Sequence, residues 1–311
     1  MTCKVQSVKC NCFLPIACLA LLTGCATIKM AKPVDPDIGV IAAAANKAFT
    51  HGQVEQAARQ YARALDRARA ADSAGDICDQ AYNLAACLLI LGQPAQAQVL
   101  LREARIEAQR VGRRAPDISL LEAKAARLAG QRDEALRQVD ALLTLTPPLE
   151  PAVRIQALLI KALISCDAGQ IPTVEQKEIR LLALEISDPA IQAEFAQLLG
   201  CCALLDKEFA RAAAAFDREA VWLQKSGRFR EMAQALARAG AAYAQAEQPA
   251  EVADRLARTA RSLFAQGDTV GALRQIEPAL VAAKGAKQDE LAARIVALFE
   301  EIKKTVPPAV H

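Results

Sequence analysis

The stretch Ala81-Tyr82-Asn83-Leu84-Ala85-Ala86-Cys87-Leu88-Leu89-Ile90-Leu91-Gly92-Gln93-Pro94-Ala95-Gln96-Ala97-Gln98-Val99-Leu100-Leu101-Arg102-Glu103-Ala104 decides the fold. Apolar positions before Gly92 recur at helical spacing, Gly92-Gln93 interrupts them, and Pro94 brings its ring-fixed φ where a second helix needs its first residue. The pattern predicts an antiparallel helix pair. Ala85 and Ala97 stand where two helices joined by a tight turn cross closely, because larger side chains would push the axes apart. Leu88 and Leu101 fill the space beyond.

The rest of the chain repeats this phrase. Gly-Gln recurs at Gly52-Gln53, Gly92-Gln93, Gly130-Gln131 and Gly169-Gln170, at intervals of 40, 38 and 39 residues. The phase continues at Lys207 and Glu247, where other turn residues replace glycine. Seven residues before these six turns stand Ala45, Ala85, Ala123, Ala162, Gly200 and Gly240. Five after come Ala57, Ala97, Ala135, Val174, Ala212 and Val252; nine after come Tyr61, Leu101, Val139, Glu178, Phe216 and Leu256. The fourth unit, with Val174 and Glu178, is the poorest copy. Of the 311 residues 53% are hydrophobic but only 4% aromatic, and much of the apolar fraction is alanine. Alanine suits close-packed helices, and long runs of valine, isoleucine and threonine are missing, so the expected class is all-α.

These residues resemble the tetratricopeptide repeat (TPR) family over roughly residues 37–266, and more loosely beyond. The second unit matches best, with Tyr82, Leu84-Ala85, Leu88, Gly92, Ala97, Leu101 and Ala104. The period of 38 to 40 exceeds the family's usual 34, and the prolines that often end a unit are mostly missing, apart from Pro147-Pro148. The resemblance implies an α-solenoid of about seven TPR-like antiparallel helix pairs, over residues 37–305, followed by a tail at 306–311. Leu291, Ile295, Leu298 and Ile302 mark one face of a last, capping helix.

Residues 1–24 read as an address. Lys4 and Lys9 form a basic start, Phe13 to Leu22 is an apolar run too short to span a bilayer, and Leu22-Thr23-Gly24-Cys25 closes it. This resembles the bacterial lipoprotein signal and its lipobox, which implies cleavage before Cys25 and a covalent lipid on its sulfur. A plain secretory signal or an uncleaved anchor is the alternative. Ala26 rather than Asp follows Cys25, which in enterobacterial lipoproteins points to the outer membrane. The resemblance therefore predicts a lipid-anchored envelope protein facing the periplasm. Residues 25–36 form a polar tether with Pro33 and Pro36, expected to be extended and to reach roughly 35 to 40 Å at about 3.3 Å per residue.

Chemistry is sparse. His51 and His311 are the only histidines, so a histidine-based triad or a two-histidine metal site is unavailable. No phosphate-cradling glycine loop and no Gly-x-Ser-x-Gly elbow occurs. Acidic and basic residues alternate as on solvated helix faces, so the expectation is no enzyme, no metal and no cofactor beyond the lipid on Cys25. The net charge of +3 falls to +1 once Lys4 and Lys9 are removed, and no basic run carries interleaved aromatics, so nucleic acid is not an expected partner.

Five cysteines follow Cys25: Cys78, Cys87, Cys166, Cys201 and Cys202. An odd number leaves at least one unpaired within the chain. Cys78 and Cys87 lie nine apart on one helix, too far to bridge, and Cys87 and Cys202 share a repeat position suited to small buried residues.

TPR solenoids, as the resemblance implies, bind peptides or protein segments on the concave face lined by the first helix of each pair. The matching positions are Asn46, Phe49, Tyr82, Ala86, Leu89, Lys124, Arg127, Leu163, Cys166, Gln197 and Cys201. Asn46 and Asn83 coincide with asparagines that hold peptide backbone in some family members, but Ala42, Asp117 and Leu121 replace the basic residues of a carboxylate clamp. Asn83 is read first as a common repeat residue bonding a neighbouring helix and second as a peptide contact, whereas Tyr82 and Phe49 fit a core role and a binding role equally. Asn46, Phe49, Tyr82, Asn83, Lys124 and Arg127 are the candidate partner-binding residues. The expected function is a membrane-tethered scaffold or assembly factor binding a protein or peptide partner; the alternative is a carrier with a small hydrophobic ligand or lipid in the groove.

Overall fold

The helices fall where the apolar period places them. The computed structural model describes residues 35–185 and 187–305, which hold fourteen helices and no strand. They run as seven hairpins. These are α1 (Pro36–Thr50) with α2 (Val54–Ala71), α3 (Ala74–Ile90) with α4 (Pro94–Arg110), and α5 (Pro116–Leu128) with α6 (Arg132–Leu143). Next come α7 (Pro151–Asp167) with α8 (Thr173–Glu185), and α9 (Pro189–Leu205) with α10 (Phe209–Lys225). The last are α11 (Phe229–Gln245) with α12 (Pro249–Ala265), and α13 (Thr269–Gly285) with α14 (Asp289–Thr305). Each helix packs chiefly against its neighbours in the chain, as in an α-solenoid. The address segment, Cys25, the tether before Asp35 and the tail after Thr305 lie outside the described residues. Pro36, expected in the extended tether, is instead the first residue of α1, with the Asp35 side chain accepting from the Asp37 amide.

The turn residues do one geometric job. At the end of α3 the Gln93 amide donates to the Leu88 carbonyl at 2.8 Å and the Gly92 amide to that of Leu89 at 3.1 Å. This pair of bonds requires a left-handed residue between helix and linker, and Gly92 has φ +73°. Gly52, Gly130 and Gly169 repeat it. Lys207 and Glu247 adopt the same conformation, at φ +60° and +55°, with the same two bonds. The repeat phase thus survives the loss of glycine, at about 1 kcal/mol or more of backbone strain in each case.

Close crossing explains the small residues. Ala45, Ala85, Ala97, Ala123, Ala162 and Ala212 are fully buried, and Tyr61, Leu101, Val139 and Phe216 fill the core one turn further on. At Gly200 a Cβ atom would stand 2.5 Å from the ring of Phe216, and at Gly240 3.1 Å from Leu256. At these two crossings the facing side chain leaves no room for a Cβ, whereas Ala45 and Ala85 face Tyr61 and Leu101 with their Cβ in place.

The fourth hairpin departs from the pattern. Its second helix starts at Thr173, four residues after Gly169, whereas α4 starts two after Gly92. The two additional linker residues, Ile171 and Pro172, change the register. Val174, expected inside, is 76% exposed, and Ile179 takes the core place that Glu178 could not fill. α8 therefore packs on α7 but hardly on α9, and α7 meets α9 directly more than any other pair of alternate helices does. The sixth hairpin shows a milder rotation, with Ala253 rather than Val252 fully buried.

The stack curves until its parts meet again. A Cβ on Gly227, in the linker before α11, would lie 2.9 Å from the Thr50 carbonyl oxygen, and one on Gly52 would lie 2.5 Å from Phe229. Arg230 pairs with Glu55 beside them. The turn of the first hairpin thus abuts the linker between the fifth and sixth.

Candidate partner-binding surface

Curvature identifies the inner face. Lys124 on α5 donates to Glu194 on α9 at 3.1 Å, an ion pair that skips a whole hairpin and requires the odd-numbered helices to converge. On the same side Arg127 grips Asp167 of α7 with two hydrogen bonds, at 2.6 and 3.1 Å. Further along, Arg228 forks onto Glu231, and Arg238 reaches the buried Glu219 at 2.7 Å. The Arg238 guanidinium also lies 5.5 Å from the centre of the Phe216 ring. Four cations and four carboxylates so line the face from α5 to α11 in matched pairs.

The groups feel one another. Burial would raise the Glu194 carboxyl, but Lys124, Arg228 and Arg127 outweigh it and hold it below the ordinary carboxylate range. Burial dominates at Glu219, which is raised despite Arg238. Burial also pushes the Cys201 thiol up to about 11, against the fields of Arg238 and Arg127. One oxygen of Glu219 and the Nε of Arg238 are buried without a hydrogen-bond partner, which makes this the most polar-hungry point of the face.

The sequence-derived candidates separate into two groups. Lys124 and Arg127 lie on the charged face, and both are engaged internally rather than free. Asn46 accepts a hydrogen bond from the buried Tyr61 hydroxyl, whose burial lifts it to about 12, so its amide works within the first hairpin. Phe49 and Tyr82 are half-buried against the N-terminal core, and Asn83 is half-buried on α3. Leu89, Leu163 and Cys166, expected to line the groove, are buried between helices instead. Sequence reasoning missed Glu194, Glu219, Arg228 and Arg238. Only Glu194 carries a signal in the sequence, as the one charge on the apolar helix Pro189–Leu205; Glu219, Arg228 and Arg238 stand among other charges and carry none.

Elsewhere an open cleft of about 1050 Å³ lies where the first hairpin nears the sixth, lined by polar groups including Gln56, Arg59, Arg230, Gln266 and Asp268. Among the described residues no group of three or more His, Cys, Asp or Glu side chains could hold a metal, and no helix is long and apolar enough to cross a membrane.

A curved stack of helical hairpins with a charged inner face is the class of molecule these observations define. No protein-family model matches the chain, and no curated protein matches it. Among solved structures it is similar to the TPR2AB-domain:pHSP90 complex of yeast Sti1, at 16% identity over 86% of this chain and 98% of that one, with a TM-score of 0.32. The hairpin architecture stands on the chain's own helices rather than on that likeness.

Proposed function

We propose that this chain is a scaffold or assembly factor that binds a protein segment along its inner face, held at a bacterial envelope membrane by a lipid on Cys25. It acts by binding and not by catalysis. The observation that carries the reading is the run of ion pairs from Lys124 to Arg238, set on rigid helices and still partly open to solvent: Lys124 is 29% and Glu194 19% exposed. Such pairs can exchange an internal partner for an external one at small net electrostatic cost. The lining does not favour the carrier alternative, because a hydrophobic ligand needs a mainly apolar pocket. The anchor and the periplasm-facing outer membrane rest on the lipobox-like segment ending at Cys25.

One experiment addresses both halves. The full chain and its K124E/R127E variant are crosslinked in intact cells of a bacterial host that carries its native neighbours, and membranes are recovered. We expect a specific protein to be enriched by the full chain and at least tenfold less by the variant, at equal helicity. Enrichment of nothing, or equal enrichment by both, defeats the binding site. In the same preparation Cys25→Ser is expected to leave the membrane fraction, and its retention there defeats the anchor.

A further inference from the structure

Cys166 on α7 and Cys202 on α9 lie 36 positions apart in sequence and 3.6 Å apart at sulfur, both almost fully buried, at 8% and 7% exposure. They occupy different repeat positions, three residues before Gly169 and five before Lys207. Only the direct contact of α7 with α9, which the slipped α8 permits, brings them together. We propose that Cys166 and Cys202 form a reversible disulfide that staples α7 to α9 across the one hairpin whose second helix leaves the seam unsealed. The pair is a property of the fold and does not depend on where the protein resides.

The surroundings assign a role to each sulfur. The Cys202 sulfur touches that of Cys166, a contact in which either can be the donor, and accepts from Gln176 Nε2 at 2.8 Å; these contacts hold it below the ordinary thiol range. Cys166, against the Cys202 sulfur and itself buried, is pushed up. Cys202 is therefore the attacking thiolate and Cys166 the resolving thiol. Gln176 lies on α8, the helix with exposed Val174 and Leu181 and little hold on α9. Local opening of α8 gives an oxidant its path.

The oxidant is a small-molecule disulfide. The Cys202 thiolate attacks one of its sulfurs, the S–S bond breaks, and the first thiol leaves with the proton Cys202 gave up. Cys166 then loses its proton and attacks the Cys202 sulfur of the mixed disulfide, expelling the second thiol, which takes that proton. Two protein thiols become one disulfide, and one disulfide becomes two thiols. The bond needs the sulfurs to close from 3.6 Å to about 2.05 Å, a small movement for two packed helices. Cys78 and Cys87 on α3 serve as internal controls, and Cys201 as the neighbour that must be distinguished.

In the test, the full chain is equilibrated in glutathione buffers of rising oxidised-to-reduced ratio, alkylated and digested with trypsin. The expected product links the peptides Ala162–Lys177 and Leu181–Lys207, persists in Cys201→Ser and is absent in Cys202→Ala. Oxidation is expected to raise the thermal midpoint by about 5 to 10 °C, reversed by dithiothreitol. If folded protein keeps both peptides alkylated at every ratio, or if the link disappears in Cys201→Ser, the proposal is overturned. Should the alanine variant fail to fold, the wild-type chain and Cys201→Ser alone decide between these outcomes.

Discussion

The second hairpin and the region where α5, α7 and α9 meet solve the same packing problem differently. In α3–α4, Ala85 and Ala97 let the axes approach and Leu101 fills what remains, so the seam is apolar and closed. In the middle of the chain two additional linker residues slip α8, and the helices there are joined by an ion pair, a bidentate arginine and two thiols in contact. The first seam is held by area and shape, which do not change with pH or redox state. The second adds to its own buried apolar cluster groups whose charge and covalency do. A stack of nearly identical units thereby acquires one segment that chemistry can adjust.

Three substitutions sharpen that contrast. The largest effect is expected at the closed seam: Leu101→Ala removes a fully buried side chain and should cost about 3 kcal/mol in urea unfolding. A cost below about 1 kcal/mol would mean the seam collapses around the gap and is no tighter than the middle of the chain. Glu194→Gln should cost about 1 kcal/mol at neutral pH. Its folded carboxyl lies below the ordinary range, so its contribution is present above the unfolded value of about 4.3 and is lost as pH falls through the folded one. The urea midpoints of variant and wild type should therefore differ at pH 7 and converge as the pH is taken below the ordinary carboxylate range. A difference that persists at the acid end would assign the loss to packing instead. The smallest effect is expected at Val174→Ser, within about 0.5 kcal/mol, since that side chain faces solvent. A larger loss would restore Val174 to the core and remove the slip.

Much of the fold is legible in the sequence because it is local. The turn phase can be followed past the last Gly-Gln to Lys207 and Glu247, since the left-handed position and its two bonds recur whatever residue fills it. The small residues mark the crossing points, Gly200 against Phe216 most clearly. What is not legible is what depends on summed rotation. Lys124 and Arg127 can be placed on the inner face, and Asp167 belongs to the next hairpin along, but the pairing of Lys124 with Glu194 follows from a curvature that brings α9 back across the intervening hairpin. Equivalence of repeat position pairs Cys202 with Cys87 and not with Cys166, whose meeting with Cys202 comes from the unit that breaks equivalence. The exposure of Val174 is foreshadowed only by Glu178, a charge where a core residue belongs.

The approach of Thr50 to Gly227, and of Phe229 to Gly52, bears on how such a chain can evolve. An open array of repeats gains or loses copies freely, because its two ends never meet. Here duplication or deletion of any hairpin from the second to the fifth would carry one side of that contact away from the other. The copy number between them is thus set by a glycine that admits an aromatic ring and another that admits a carbonyl. Changes in length are left to the sequence beyond α11.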